Sequence, residues 1–298
     1  MALLFHFSGY ETVAHKLKEH LNCEGVGDVT IRHFPDGESF VKLNTDVKNK
    51  DIILVCGLDQ PDTKVMALLF FTKLAKELGA KSVGLVAPYL GYMRQDKRFH
   101  EGEAITSTLF AGFLSNHIDW LVTIDPHLHR HKALAEIYTI PSVVLHAADT
   151  ISSWIKDHVE KPLIIGPDEE SEQWVRDVAQ KANAPFTVLT KIRHGDHDVE
   201  VSVPQIERYK DHTPVLVDDI ISTARTMIET VVHLKKAGTK PPLCIGIHGV
   251  FAKGAYESLL KAGIERIVTC NTITHPSNAI DIAPLLAEGI RQLSCPSE

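Results

Sequence analysis

Short apolar runs alternate with longer amphipathic stretches along the whole chain. The runs "MALLFHF", "DIILVCG", "SVGLVAPY", "WLVTID", "SVVLH", "PLIIGPD", "TPVLVDD", "CIGIHGVF" and "RIVTCNT" are rich in aliphatic residues and bounded by turn formers. Residues 64–78, 106–115, 173–182, 226–236 and 255–262 read instead as helices. In 226–236 the apolar positions Met227, Ile228, Val231, Val232 and Leu234 recur at a spacing that buries one face. Strand followed by helix, repeated, predicts βα units and a mainly parallel sheet flanked by helices. Ligands of such sheets gather at the carboxyl ends of the strands. Asp125, Asp168, Asp218 and Asp219 all read as strand-end acids, and their shared position says more than any one of them.

The pattern also repeats internally. "IILVCGLDQPDTKVMALLFFTKLAKELGAKSVGLV" and "PVLVDDIISTARTMIETVVHLKKAGTKPPLCIGIHGV" have the same layout of strand, loop, long helix ending in glycine, and strand. Two similar domains are therefore expected, 1–142 and 143–280, with the tail 281–298 packing back on the first. The first copy carries Cys56 and Gly57 where the second carries the two aspartates. Residues 191–202, "KIRHGDHDVEVS", are polar, histidine-rich and aperiodic, which suits a loop or hairpin.

Composition narrows the function. At 298 residues with 44% hydrophobic and 23% charged residues, each half has ample core. The net charge of −7 argues against a nucleic-acid binder, although a local basic pocket can still hold a small anion. The five cysteines are scattered with no C-x-x-C, which favours buried thiols in a reducing compartment over a disulfide frame or zinc site. The amino-terminal run is broken by His6, Ser8 and Gly9 and reads as a first strand, not a signal peptide. The longest apolar run, "VMALLFF", is too short for a bilayer. A cytoplasmic protein without a membrane or nucleic-acid partner is expected.

Adjacent carboxylates at Asp218 and Asp219 repel each other and lose hydration, so something must compensate them. After them come Ser222, Thr223, Ala224, Arg225 and Thr226 and then a helix. Hydroxyls and free backbone N–H groups converging on a helix start make a phosphate cradle. The carboxylates beside it suit vicinal sugar hydroxyls or a divalent cation. The bland alternative is that Ser222 or Thr223 merely caps the helix and the aspartates are solvated. No G-x-x-x-x-G-K-[ST] or G-x-G-x-x-G occurs.

"VLVDDIISTARTM" resembles the phosphoribosyl-pyrophosphate loop of type I phosphoribosyltransferase folds. "FPDGESFVKL", "PYLGYMRQDKRFHEGEAITS", "TIDPHLHRH", "IIGPDEES" and "TKIRHG" occur in the order and spacing of the ribose-phosphate pyrophosphokinase family. The resemblance covers nearly the whole chain and implies two type I phosphoribosyltransferase-like α/β domains, each a mainly parallel sheet flanked by helices. It implies a Mg2+-dependent reaction of ATP with D-ribose 5-phosphate in a homo-oligomer whose ATP site is shared between subunits. It places Phe34, Asp36, Gly37 and Glu38, on a turn, against the adenine of a neighbour's ATP, and assigns Arg94, Gln95 and His127 to ATP. His127 and Asp168 are implied as magnesium-associated. Asp218, Asp219, Ser222, Thr223, Ala224, Arg225, Thr226 and Arg193 are implied for ribose 5-phosphate, and Lys191 with Arg193 for charge on the transferring group.

Each assignment has a plainer rival: a simple D-G turn, a solvated charge run at Lys97 and Arg98, an ordinary strand-end acid at Asp168. His127, His129 and His131 alternate, which invites zinc; on a strand they would face one side with no fourth ligand nearby, and His129 and His131 read as surface residues. Two departures from the family pattern stand out. Glu169, Glu170 and Ser171 follow "PD" where paired glycines are common, and Ser222 and Arg225 replace an acid and a small residue. A phosphoribosyltransferase consuming the product, or a catalytically silent regulatory paralogue, are the rival functions. The ATP-side motifs count against the first, and the retained Lys191, Arg193, His127 and Asp218 against the second.

Overall fold

The computed structural model describes residues 1–128, 130–167, 171–194, 198–202 and 206–294, with 190–194, 198–202 and 294 described by backbone alone. The chain divides into two compact units: Met1–His146 with the segment from Ile282, and Ala147–Asp281.

The first unit runs β1 (Ala2–His6), α1 (Glu11–His20), β2 (Cys23–Val26), β3 (Val29–His33), β4 (Ser39–Leu43), β5 (Asp51–Val55), α2 (Val65–Glu77), β6 (Ser82–Ala87), α3 (Thr106–Ser115), β7 (Trp120–Ile124) and β8 (Ser142–Leu145). Six strands form one sheet in the order β2-β1-β5-β6-β7-β8, and β3 pairs with β4 as a separate hairpin. Every pairing in the six-stranded sheet is parallel. Phe5, Leu54, Leu85 and Leu121 on its strands and Phe71 on α2 are fully buried. Runs of consecutive aliphatic residues are what a sheet covered on both faces requires.

The second unit runs α4 (Ala148–His158), β9 (Pro162–Gly166), α5 (Glu172–Ala182), β10 (Phe186–Val188), β11 (Thr190–His194), β12 (Asp198–Ser202), β13 (Thr213–Ile221), α6 (Arg225–Lys236), β14 (Leu243–Gly249), α7 (Ala255–Ala262), β15 (Arg266–Cys270) and β16 (Asn278–Ile280). Its sheet order is β10-β9-β13-β14-β15-β16, again with every pairing parallel. β11 and β12 form an antiparallel hairpin. All seven residues of β14 are buried. The last helix, α8 (Ala283–Ser294), packs on β7, β8 and α1 of the first unit.

The two units share one topology. In each, the second strand lies outside the first, a two-stranded hairpin follows, and the third to sixth strands extend the sheet on the other side. The internal echo thus extends over the whole unit, and the type I phosphoribosyltransferase-like α/β architecture expected from the sequence is the one found. No described helix is long and apolar enough to cross a membrane.

Candidate active site

In the second unit the chain steps outward from β9 to β10 and then returns past β9 to add β13. The direction of sheet growth therefore reverses between β9 and β13, where open α/β sheets bind ligands. β9 accompanies β13 only as far as Leu216, opposite Ile165. β14 accompanies it to Ile221, opposite Gly249. Residues 217–221 therefore overhang on the β9 side. Asp218 and Asp219 lie half-buried inside this overhang, not at the strand's end as their sequence suggested, because pairing to β14 carries the strand on.

The structure shows how adjacent carboxylates are accommodated. The Asp219 N–H donates to Asp218 Oδ1 at 3.0 Å, and the Ile220 N–H donates to Asp219 Oδ1 at 2.8 Å. Each acid accepts from the backbone N–H that follows it. Asp168, just past the end of β9, lies outside the described residues, as do Glu169 and Glu170.

Beyond the overhang, Ser222 is half-buried, Thr223 exposed and Ala224 buried. The Phe251 N–H donates to the Ile221 carbonyl at 2.9 Å and the Ala252 N–H to the Ser222 carbonyl at 3.0 Å, which ties this loop to the one after β14. α6 begins at Arg225 and its N-cap is Ala224, held at φ +57° with no side-chain cap. The N-cap position considered for Ser222 or Thr223 is therefore taken by Ala224. An N-cap residue with no side-chain acceptor leaves N–H groups of the first turn to other partners, such as a ligand or water. Arg225 is exposed and Thr226 half-buried at this same start. Met227, one turn in, meets Cys244 of β14 with its sulfur 2.9 Å from the thiol, and burial pushes the Cys244 pKa up. The helix start is thus seated directly on the sheet.

The second unit's hairpin sets Lys191 opposite Val201 and Arg193 opposite Val199, so these two basic positions fall on the same strand two residues apart. The hairpin alternative read for 191–202 is the one the backbone adopts. The side chains of Lys191 and Arg193 lie outside the described residues.

In the first unit, Phe34, Asp36, Gly37 and Glu38 share the turn of the β3–β4 hairpin. The Phe34 N–H donates to the Glu38 carbonyl at 2.8 Å and the Gly37 N–H to the Phe34 carbonyl at 2.9 Å. Asp36 Oδ1 accepts from the Glu38 N–H at 3.2 Å, and Gly37 takes φ +93°, a conformation that glycine adopts without a Cβ clash. Phe34 is 41% exposed, with the Arg32 guanidinium 4.6 Å from its ring centroid and 4.2 Å from that of Phe40. An aromatic face is thus braced at the tip of the hairpin.

Arg94, exposed, and Gln95, half-buried, follow β6. Next to them Asp96 is buried, and Arg130 Nη1 reaches both its oxygens at 3.0 and 3.1 Å. His127 is half-buried on the loop after β7. That strand stops at Ile124, so the histidine alternation is not carried on a strand. His129 lies outside the described residues. His131 is not a surface residue: its side chain is 16% exposed and its Nδ1 lies 3.3 Å from Glu136 Oε2. Asp125, at φ +35°, meets His146 Nδ1 at 2.7 Å.

The first unit has its own growth reversal, between β1 and β5. There the corresponding crevice is filled. Tyr10, 2% exposed, donates to Asp59 Oδ1 at 3.2 Å. Lys64 Nζ meets the same carboxylate at 2.6 Å and the Gly57 carbonyl at 2.9 Å. A Cβ on Gly57 would come within 1.7 Å of the Tyr10 hydroxyl. Burial pushes the Cys56 thiol up to about 12 and raises the Tyr10 phenol well above its ordinary value. A half-buried ammonium and a buried phenol ring stand at the positions that correspond to the second unit's aspartates and helix start.

Two domain families match the chain: "N-terminal domain of ribose phosphate pyrophosphokinase" over residues 2–117 and "Phosphoribosyl transferase domain" over residues 133–285. Among curated relatives, the ribose-phosphate pyrophosphokinase of Methanobrevibacter smithii is 29% identical over 95% of this chain and 98% of its own length. That of Sulfurisphaera tokodaii is 30% identical over 86% of this chain and 89% of its own. The chain belongs to the ribose-phosphate pyrophosphokinase family. A solved phosphoribosylpyrophosphate synthetase from Mycobacterium smegmatis shares the fold, with a TM-score of 0.83, 98% of each chain covered and 24% identity.

Within the ribose-phosphate pyrophosphokinase pattern, the structure gathers Asp218, Asp219 and 222–226 at one crevice, and the Phe34–Glu38 group on one turn. Asp96, Arg130 and the Tyr10–Asp59–Lys64 cluster went unnoticed in the sequence. Asp96 and Arg130 sit inside quoted motifs, but their pairing bridges 34 residues and has no local signature.

Proposed function

We propose that this chain is a ribose-phosphate diphosphokinase that transfers the pyrophosphoryl group of ATP to the anomeric hydroxyl of D-ribose 5-phosphate, giving 5-phospho-α-D-ribose 1-diphosphate and AMP. The observation that carries this reading is the match to curated ribose-phosphate pyrophosphokinases along nearly the whole chain, with ATP-side and ribose-side motifs both present. The anomeric oxygen attacks the β-phosphorus in line and its proton passes to solvent, while the bond between the β-phosphorus and the α,β-bridging oxygen breaks and AMP leaves with its electrons. Positioning and electrostatic stabilisation dominate such a step.

In this reading the start of α6, with Ser222, Thr223, Ala224, Arg225 and Thr226, holds the 5-phosphate. Asp218 and Asp219 accept from the ribose hydroxyls. Lys191 and Arg193 offset charge on the transferring group. Arg94, Gln95 and His127 hold ATP, whose adenine meets the Phe34, Asp36, Gly37 and Glu38 turn of a second copy in a homo-oligomer. A guanidinium suits phosphate, and carboxylates suit an exocyclic amino group.

The reading takes magnesium as the metal that accompanies the substrate phosphates. No group of three or more His, Cys, Asp or Glu among the described residues could grip a metal unaided. In the proposed reading His127 and Asp168 would be the residues associated with that ion, which would keep water and take oxygen ligands from substrate phosphates. When bound, it neutralises phosphate charge. We assign the protein to the cytoplasm, in keeping with scattered cysteines that show no C-x-x-C spacing. The test is AMP release that requires both ribose 5-phosphate and magnesium. ADP as the nucleotide product, or release indifferent to the sugar phosphate, overturns the reading.

A further inference from the structure

We infer that the Asp96–Arg130 ion pair is a positioning device for the ATP side of the site, locking the loop that carries Arg94 and Gln95 to the loop that carries His127. This rests on the assignment of those three residues to ATP made above. Asp96 directly follows Gln95, and Arg130 lies three residues beyond His127. β6 and β7 are neighbours in the sheet, so the loops leaving their carboxyl ends run side by side.

The Asp96 side chain is only 2% exposed, whereas that of Arg130 is 47% exposed. A carboxylate stripped of water needs a charged partner, and a guanidinium reaching both oxygens supplies it. The partner comes from the other loop. Burial of Asp96 therefore compels contact between the two loops instead of merely permitting it. The Arg130 guanidinium also lies 6.0 Å from the ring centroid of Phe99, farther along the Asp96 loop. Arg130 is thus held at two points by one loop while belonging to the other, which fixes the separation of Arg94 and Gln95 from His127. Groups that must meet one ligand together bind it well only when their spacing is set beforehand. Neither Asp96 nor Arg130 need touch the nucleotide for this.

Calorimetric titration of the full-length protein with ATP, and separately with ribose 5-phosphate, tests the inference, with thermal melting in parallel. Arg130→Met should weaken ATP binding roughly tenfold, within the range for coupled neighbours, and leave ribose 5-phosphate binding within about twofold. Arg130→Lys should recover part of the ATP affinity. Because Arg130→Met strands a buried carboxylate and risks unfolding, the double variant Asp96→Asn/Arg130→Met is the decisive one. It removes the charge, so melting should return toward wild type while ATP affinity stays low. Wild-type ATP affinity in the double variant, or equal losses for both ligands, overturns the inference. A wild-type protein that binds ATP in this linked manner yet releases no AMP overturns the proposed function and leaves the positioning role standing. A wild-type protein that binds no ATP overturns both.

Discussion

Arg225 occupies the first position of α6, exposed, next to an N-cap alanine that has no side-chain acceptor. In the proposed function a guanidinium there adds donors to the backbone N–H groups that hold the 5-phosphate. Arg225→Gly should raise KM for ribose 5-phosphate about three- to tenfold and leave KM for ATP nearly unchanged. Initial-rate kinetics with each substrate varied in turn will show it, and equal changes in both constants would mean that the side chain points into solvent. Gly57 presents the opposite case, a residue chosen for what it lacks. A methyl group there would lie 2.4 Å from Tyr10 Cζ as well as against the hydroxyl, inside a ring that has no room to retreat. Gly57→Ala should cost about 1–3 kcal/mol of stability, read as a lower urea midpoint at constant m value. Unchanged stability would show that the crevice in the first unit is looser than its contacts indicate.

The hairpin between the second and third strands is the element that both units reuse. In the first unit its tip carries Phe34, Asp36 and Glu38; in the second its β11 strand carries Lys191 and Arg193. If the second hairpin acts on charge that develops during transfer, Lys191→Ala should lower kcat about a hundredfold with ribose 5-phosphate binding nearly intact. Stopped-time AMP assays beside a binding titration separate the two quantities, and near-normal turnover removes the hairpin from the mechanism. The second hairpin was legible only as an alternative to a loop, and the first only as a turn, because the polar "RHFPDGE" and "KIRHG" obscure the alternation of paired strands. β2, β10 and β16, edge strands of three or four residues, are too short to show a period. The buried strands were legible because a parallel sheet covered on both faces leaves solid aliphatic runs. The aspartate loop was legible because two adjacent acids after such a run demand an explanation. Its overhang was not, since the reach of β14 beyond β9 depends on strands far apart in the chain. Asp96 and Arg130 escaped for the same reason.

At the scale of the whole molecule, the proposed sharing of the ATP site makes activity a property of pairs of chains. Asp36→Ala/Glu38→Ala damages the donated turn, and Lys191→Ala damages the receiving site. Mixed in equal amounts under subunit exchange, the two inactive proteins should regain about a quarter of wild-type activity, since half the pairs are mixed and each mixed pair has one intact site. Exchange verified by native mass with no return of activity would mean that each turn serves its own chain. The filled crevice of the first unit also bears on how such a chain can change over time. To open it, the bulk of Tyr10 must go, Lys64 must be withdrawn, and Asp59 must then find another partner. Taken singly, loss of Lys64 leaves a half-buried acid facing a phenol, and loss of Tyr10 leaves a void beside Gly57; both steps are destabilising. Opening that crevice by single substitutions therefore passes through less stable proteins. In the proposed function, the side chains packed there leave the sugar phosphate to the second unit alone.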